Sequence, residues 1–529
     1  MDRPTGFRDQ ILLGYSPVGG SIVLGGAMLD GECIPDCLIR VPLKTLNRHG
    51  LIAGATGTGK TKTLQVFAET LSEKSIPVLL MDIKGDLSGL ARPGVNNPKI
   101  EERHREIGIP HSPRGFPVEL LTLSNEKGAR LRATVSEFGP VLFSKILGLN
   151  DTQSGVVSLI FKYCDDHALP LLDLKDFKKV IQYITGEGKK EVENAYGRVS
   201  VTSVGAILRK VIELEQQGAE RFFGEKSFEV DDLLRIDDQG DGVISIIRLT
   251  DIQDRPKMFS TFMLCLLAEI YSCFPEEGDL DVPKLVIFID EAHLIFDEAS
   301  KALLDQIETI IKLIRSKGVG IFFCTQTPRD IPEAVLSQLG MKVQHALRAF
   351  TAKDRKEIRL VSENYPVSEF YKTDELITSL GIGEAIVTVL NEKGVPTPLV
   401  ATKLRAPSSR MDILTEEEIE SVIQNSRLVQ KYNESLDRES AYEMLSQKID
   451  EFREQEKQEQ LAREQQKVGS SRSSADKGTL ETIMDSTVTR QIGRTVAREV
   501  TRGILGVFGL GGRARGTTSR RRTGRPSCF

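Results

Sequence analysis

Apolar and polar positions fall into blocks along the chain, and the blocks predict the order of elements. Over residues 1–48 short apolar runs (ILLGY, SIVLGG, CLIRVPL) are separated by Gly and Pro, which predicts a few short strands. From Leu51 the order becomes strand, glycine-rich turn and helix, with a second strand over 77–82. Strand-like runs return at 243–249, 284–290 and 319–325, the last two apolar enough for buried strands. Two further runs, 384–390 and 397–404, are suited to close an edge of the same sheet. Between 135 and 235 the pattern is mainly helical. Strands separated by helical stretches predict an α/β fold with a mostly parallel, doubly wound sheet, interrupted by a helical insertion. The expected organisation is a short β-rich segment (1–45), a first part of the core (46–134), the insertion (135–235) and a second part of the core (236–407). A charged helical arm (408–468) and a Ser/Gly/Arg-rich terminus (469–529) follow.

Composition changes that picture in three ways. With 529 residues the chain is long enough for two to four domains at about 100–200 residues each. No apolar run reaches the ~18 residues that cross a bilayer, MDRPTGFRDQ lacks the apolar core of a secretory signal, and the seven cysteines are irregularly placed. A reducing, cytoplasmic setting with no integral membrane segment is therefore expected. Cys33 and Cys37 lie near His49 in sequence without a fourth zinc ligand, and read as ordinary cysteines. The net charge of −5 conceals an asymmetry: residues 469–529 hold 12 basic and 4 acidic residues, so the tail is +8 and the remainder −13. A basic tail on an acidic body points to an anionic partner. Residues 432–467 carry dense charge with Leu445, Ile449 and Phe452 on one helical stripe, about one heptad, which favours a solvated helix over a coiled coil.

The chemistry is concentrated in two strand ends. Gly54-Ala55-Thr56-Gly57-Thr58-Gly59-Lys60-Thr61, followed by Lys62, matches G-x-x-x-x-G-K-[ST] between an apolar strand and a helix. Glycines let the backbone turn its N–H groups toward phosphate oxygens, and the helix adds its positive N-terminal end. Lys60 is expected to reach the β- and γ-phosphates of ATP, and the Thr61 hydroxyl to ligate Mg²⁺. The second strand end is Lys284-Leu-Val-Ile-Phe-Ile-Asp290-Glu291-Ala-His293. Asp290 is expected in the Mg²⁺ shell and Glu291 as the base that activates water. A third strand ends at Thr325-Gln326, where Gln326 is placed to sense the γ-phosphate. Arg315 and Arg348 are candidates to neutralise charge developing during phosphoryl transfer, on their own site or on a neighbour's.

These motifs, with Asn47-Arg-His-Gly50, Asp82-Ile-Lys-Gly85-Asp86 and Val343-Gln-His-Ala-Leu-Arg-Ala-Phe350, resemble the HerA/FtsK branch of P-loop ATPases. Within it the chain is most similar to the bacterial YjgR-type, HerA-like proteins. The resemblance implies a RecA-like core and a ring-forming, hexameric helicase or translocase acting on double-stranded DNA. The chain departs from the family pattern in having no Trp and in placing Thr327 rather than Asn after Gln326. The alternative function is a nucleotide-gated assembly or loading factor that moves no DNA; a secretion motor and a nucleotide kinase fit less well. In the tail, Arg490, Arg494, Arg498 and Arg502 parallel Ile492, Val496, Val500 and Ile504 at four-residue spacing over 489–508. Such an amphipathic helix suits docking on protein, an anionic membrane or DNA.

Overall fold

The structure is a computed structural model and describes residues 3–252, 255–278, 280–296, 301–434 and 439–471. The expected basic helix at 489–508 and the Arg-rich terminus lie outside these residues, as does most of the Ser-rich linker. Two units are formed, 1–447 and 448–529.

The first unit is built on a 12-stranded sheet. Its strands are β1 (Ser21–Leu29), β2 (Glu32–Pro42), β3 (Gly50–Ala53), β4 (Val78–Asp82), β5 (Val118–Thr122) and β6 (Ala129–Arg130). They continue with β7 (Ile244–Arg248), β8 (Leu285–Ile289), β9 (Val319–Thr325), β10 (Met341–His345), β11 (Glu384–Thr388) and β12 (Val400–Leu404). The spatial order is β2-β1-β12-β11-β10-β3-β9-β8-β4-β7-β5-β6. From β10 to β6 all neighbours are parallel, and from β10 to β2 all are antiparallel. The central strands β3, β4, β8 and β9 are buried at every position, so their apolar runs are unbroken.

Three expectations are corrected. ILLGY is not a strand but part of a helix, Arg3–Tyr15, because Phe7, Ile11 and Tyr15 recur every four residues and bury one face. The Tyr15 hydroxyl donates to the carbonyls of Val387 (3.0 Å) and Pro398 (2.7 Å), fastening that helix beside β11 and β12. Strands β11 and β12 do not close an edge, since β12 pairs onward to β1 and β1 to β2. Strands β5, β6 and β10 have no counterpart in the apolar pattern; β10 alternates Lys and Gln with Met and Val, and its burial comes from neighbours distant in sequence.

Between β6 and β7 run the helices Val135–Ile146, Asp151–Asp166, Leu174–Thr185, Lys189–Tyr196 and Val201–Gln216. Thr134, Asn150 and Asp173 each start one through a reciprocal capping box. A last helix, Ala441–Ser471, continues into the second unit, where residues 451–464 are exposed. Among the described residues no helix is long and apolar enough to cross a membrane.

The core beneath the sheet fixes the glycine-rich turn. Phe67, on the helix after that turn, lies 5.9 Å from the rings of both Phe288 on β8 and Phe322 on β9. Burying a ring of this size contributes ~2–3 kcal/mol. Gly50 is required beneath it, because a Cβ there would meet the Phe322 ring at 2.4 Å.

Candidate nucleotide-binding site

The turn 54–59 leaves β3 and enters the helix Lys60–Ser72. Gly54, Gly57 and Gly59 have φ of 156°, 78° and 115°, values that side-chain-bearing residues rarely adopt. The helix has no acidic residue in its first turn and no side-chain cap on Gly59, so its first N–H groups and positive end stay open to an anion. Both sheet neighbours anchor the turn: Gly54 N–H donates to Thr325 O (3.2 Å) and Ala55 N–H to Ala346 O (2.9 Å). Within it the Thr58 hydroxyl donates to Ala55 O at 2.7 Å, while Thr56 and Gly57 face solvent.

Lys60 is buried and donates to the carbonyls of Gly54 (2.7 Å) and Ala55 (3.3 Å). Burial pushes its ammonium below the usual lysine range, and the nearby charge of Lys84 adds to that push. Thr61 is half-buried on the first turn. Lys62 points elsewhere: its ammonium is held by Gln65 Oε1 (3.2 Å) and Met411 O (2.5 Å), which leaves it a phosphate role through its backbone only.

Asp290 and Glu291 follow β8 directly. β8 is not the neighbour of β3; β9 stands between them, so the acids face the turn across the end of the strand that carries Gln326. All three parallel strands open at the same edge. Asp290 is 2% exposed, and its Oδ2 has no hydrogen-bond partner. Burial raises its pKa to about 7, with Lys84 opposing the rise and Glu291 adding to it. Glu291 adopts a φ of 44°, in the left-handed region where a residue with a Cβ is strained, a conformation that clusters at functional sites. Its carboxylate is ion-paired with Lys84 and lies 3.3 Å from His293 Nδ1.

Gln326 is exposed at the end of β9, between the turn and the acids. Arg348 is exposed three residues past β10, on the turn's edge of the sheet, and donates to Thr378 O at 3.2 Å. Arg315 lies at the opposite edge. It precedes the start of β9, whose seven residues at about 3.3 Å each span about 20 Å, so Arg315 cannot reach the turn of its own chain.

Three groups at this edge escape a reading of local pattern. His345 ends β10 under the turn, with Nε2 2.9 Å from the Thr63 hydroxyl. Burial, with Lys60 adding, pushes its pKa down to about 4, so it is neutral at pH 7. Asp82 ends β4 and accepts from the N–H groups of Gly85 (2.7 Å), Asp86 (3.2 Å) and Leu87 (3.1 Å), shaping the turn that carries Lys84. In the sequence, Asp82 and Lys84 are signalled only by the Asp82-Ile-Lys-Gly85-Asp86 stretch that carries part of the family resemblance.

The donor set suits Mg²⁺. Asp290 presents a buried oxygen without a partner and Thr61 a hydroxyl, both hard donors. No group of three or more His, Cys, Asp or Glu that could hold a metal ion occurs among the described residues. Two protein donors would leave the rest of an octahedral magnesium shell to water and phosphate oxygens.

Residues 30–515 match the family described as helicase HerA-like C-terminal. The DNA double-strand break repair helicase HerA of Sulfolobus acidocaldarius is 24% identical over 386 residues, 72% of this chain and 70% of that protein. That of Sulfurisphaera tokodaii is 23% identical over 362 residues, 66% of this chain and 64% of the relative. Among solved structures, VirB4 of Thermoanaerobacter pseudethanolicus is 17% identical with a TM-score of 0.48, over 74% of this chain and 98% of that one. With its phosphate turn and paired acids set at one edge of a mostly parallel sheet, the chain belongs to the helicase HerA-like C-terminal family.

Proposed function

We propose that the chain is a Mg²⁺-dependent ATP hydrolase that works as a ring-forming motor on double-stranded DNA. The observation that carries the hydrolase is the shared edge: an uncapped helix N-terminus behind three left-handed glycines, with Asp290 Oδ2 unpartnered across β9. The open N–H groups of 56–57 and 59–61 and the Lys60 ammonium bind the phosphates, which requires Lys60 to leave the Gly54 and Ala55 carbonyls. Thr61 and Asp290 hold Mg²⁺, which when bound supplies charge neutralisation at the β- and γ-phosphate oxygens. Glu291 takes the proton from the attacking water, and Gln326 reads the γ-phosphate from the strand between. Arg348 is assigned to its own chain's site because it leaves the same edge, and Arg315, from the far edge, to the site of a neighbouring copy in a ring. The helices between β6 and β7 are the natural lever, moving between two arrangements as the sheet responds to hydrolysis.

Double-stranded DNA as the track is supported by the relatives' description as DNA repair helicases and by the +8 charge of residues 469–529. The test is the ATPase rate of the intact chain and of Glu291→Gln, each with and without duplex DNA. The variant should bind ATP and hydrolyse it at least about 100-fold more slowly, the scale of a lost general base. An unchanged rate removes Glu291 from its role. Stimulation by duplex DNA supports the motor, and slow turnover indifferent to DNA supports a nucleotide-gated loading factor instead.

A further inference from the structure

Lys84 is a cation at this edge that the hydrolytic scheme leaves without a task. It sits in the turn after β4 and is ion-paired with Glu291; its side chain is 39% exposed and that of Glu291 7%. The pairing is imposed by register, since β4 and β8 run parallel with Met81 opposite Ile289, so the residues after both strands meet. Asp82 holds the turn in shape through three N–H bonds, which leaves the lysine stem as the part free to swing. The groups that face the pair are Asp290, Asp86, His293 and Lys60. The charge of Lys84 is felt at Lys60, the residue that marks where a γ-phosphate sits.

An ammonium seated on a carboxylate occupies an oxygen and bars a water from it, so the paired Glu291 is not placed to take a proton from that water. A γ-phosphate carries more negative charge than a carboxylate and enters within the field of the same ammonium. Resting on the ATPase reading, we propose that Lys84 is a switching cation that holds Glu291 until a triphosphate enters the turn. It then moves its hydrogen bonds to a γ-phosphate oxygen and frees the Glu291 carboxylate to take the proton of the attacking water. A diphosphate offers no such oxygen, so the pair re-forms after phosphate release, and the base is armed only when there is something to hydrolyse.

The exchange makes Lys84 and Glu291 competitors in triphosphate binding, which a double-mutant cycle detects. The affinities of a Mg²⁺-complexed non-hydrolysable ATP analogue and of ADP are measured on the wild type, Lys84→Met, Glu291→Gln and the double variant, with Lys84→Arg as the charge-preserving control. Glu291→Gln should bind the analogue about fivefold more tightly, the scale of a partly exposed ion pair no longer to be broken. In the Lys84→Met background the same change should have no effect. Lys84→Met alone should narrow the preference for the analogue over ADP, Lys84→Arg should largely keep it, and ADP affinity should stay within about twofold throughout. Equal effects of Glu291→Gln with and without Lys84, or ADP affinities that move with those of the analogue, overturn the switch. Those results leave the hydrolase standing provided Glu291→Gln is inactive, whereas a fully active Glu291→Gln or a wild type that binds no nucleotide removes the ATPase reading itself.

Discussion

Asp290→Asn should make the protein more stable without nucleotide at pH 8 while abolishing its response to Mg²⁺·ATP. The carboxyl is 2% exposed and its pKa is raised from 3.8 to about 7, chiefly by burial. The sign follows from proton linkage. The native state binds this proton more tightly than the unfolded chain, so its contribution is fully present below pH 3.8 and is lost as pH rises through about 7. A shift of about three units caps the loss at ~4 kcal/mol at pH 8. The replacement amide places an N–H where Oδ2 has no partner, at a cost of ~1–3 kcal/mol, so the net gain should be at most about 1–3 kcal/mol. Thermal unfolding between pH 5 and 8 is the assay. The wild type should lose stability across that range relative to Asp290→Asn, with the variant the more stable at pH 8 by a few degrees. Adding Mg²⁺·ATP at 100 times its Kd should raise the wild type by ~2.7 kcal/mol and leave the variant nearly unmoved, cancelling most or all of the variant's advantage. A variant that is less stable at pH 8, or one that keeps the wild-type pH dependence, would refute the burial argument.

Other expectations test the seat of the turn and the tail. Gly54→Ala puts a Cβ 2.4 Å from that of His345 at a φ of 156°, and should cost about 1–3 kcal/mol together with most nucleotide affinity, read by melting and by ATP-analogue titration. Glu69, buried on the helix after the turn, accepts from the N–H groups of Ser408 (2.8 Å) and Ser409 (2.9 Å) and the Ser409 hydroxyl (2.5 Å). Glu69→Ala should therefore lose about 3 kcal/mol and expose 406–414 to protease, and an unchanged digestion pattern would show that this segment is held by other interactions. Truncation after Lys467 should weaken duplex DNA binding and flatten its dependence on salt, by about 0.9 in log–log slope for each DNA phosphate the tail neutralises. An identical slope would assign the basic segment to docking.

The chemistry that is local in the chain was legible before any fold. Three glycines, a lysine and a threonine within eight residues carry their own backbone geometry, and two acids at the end of an apolar run carry their own placement on a strand, so the expected nucleotide and magnesium ligands could be named from them. The family resemblance reached further along the chain for the same reason, since it rests on short contiguous stretches. Which strand ends face one another emerged from the packing of the whole sheet. The insertion of β9 between β3 and β8, the burial of polar β10 that brings His345 under the turn, the meeting of Lys84 with Glu291 and the stranding of Arg315 at the far edge all depend on the order of strands. That order is set by hydrogen bonding and burial between segments far apart in sequence, for which no periodicity within a single segment can carry the signal.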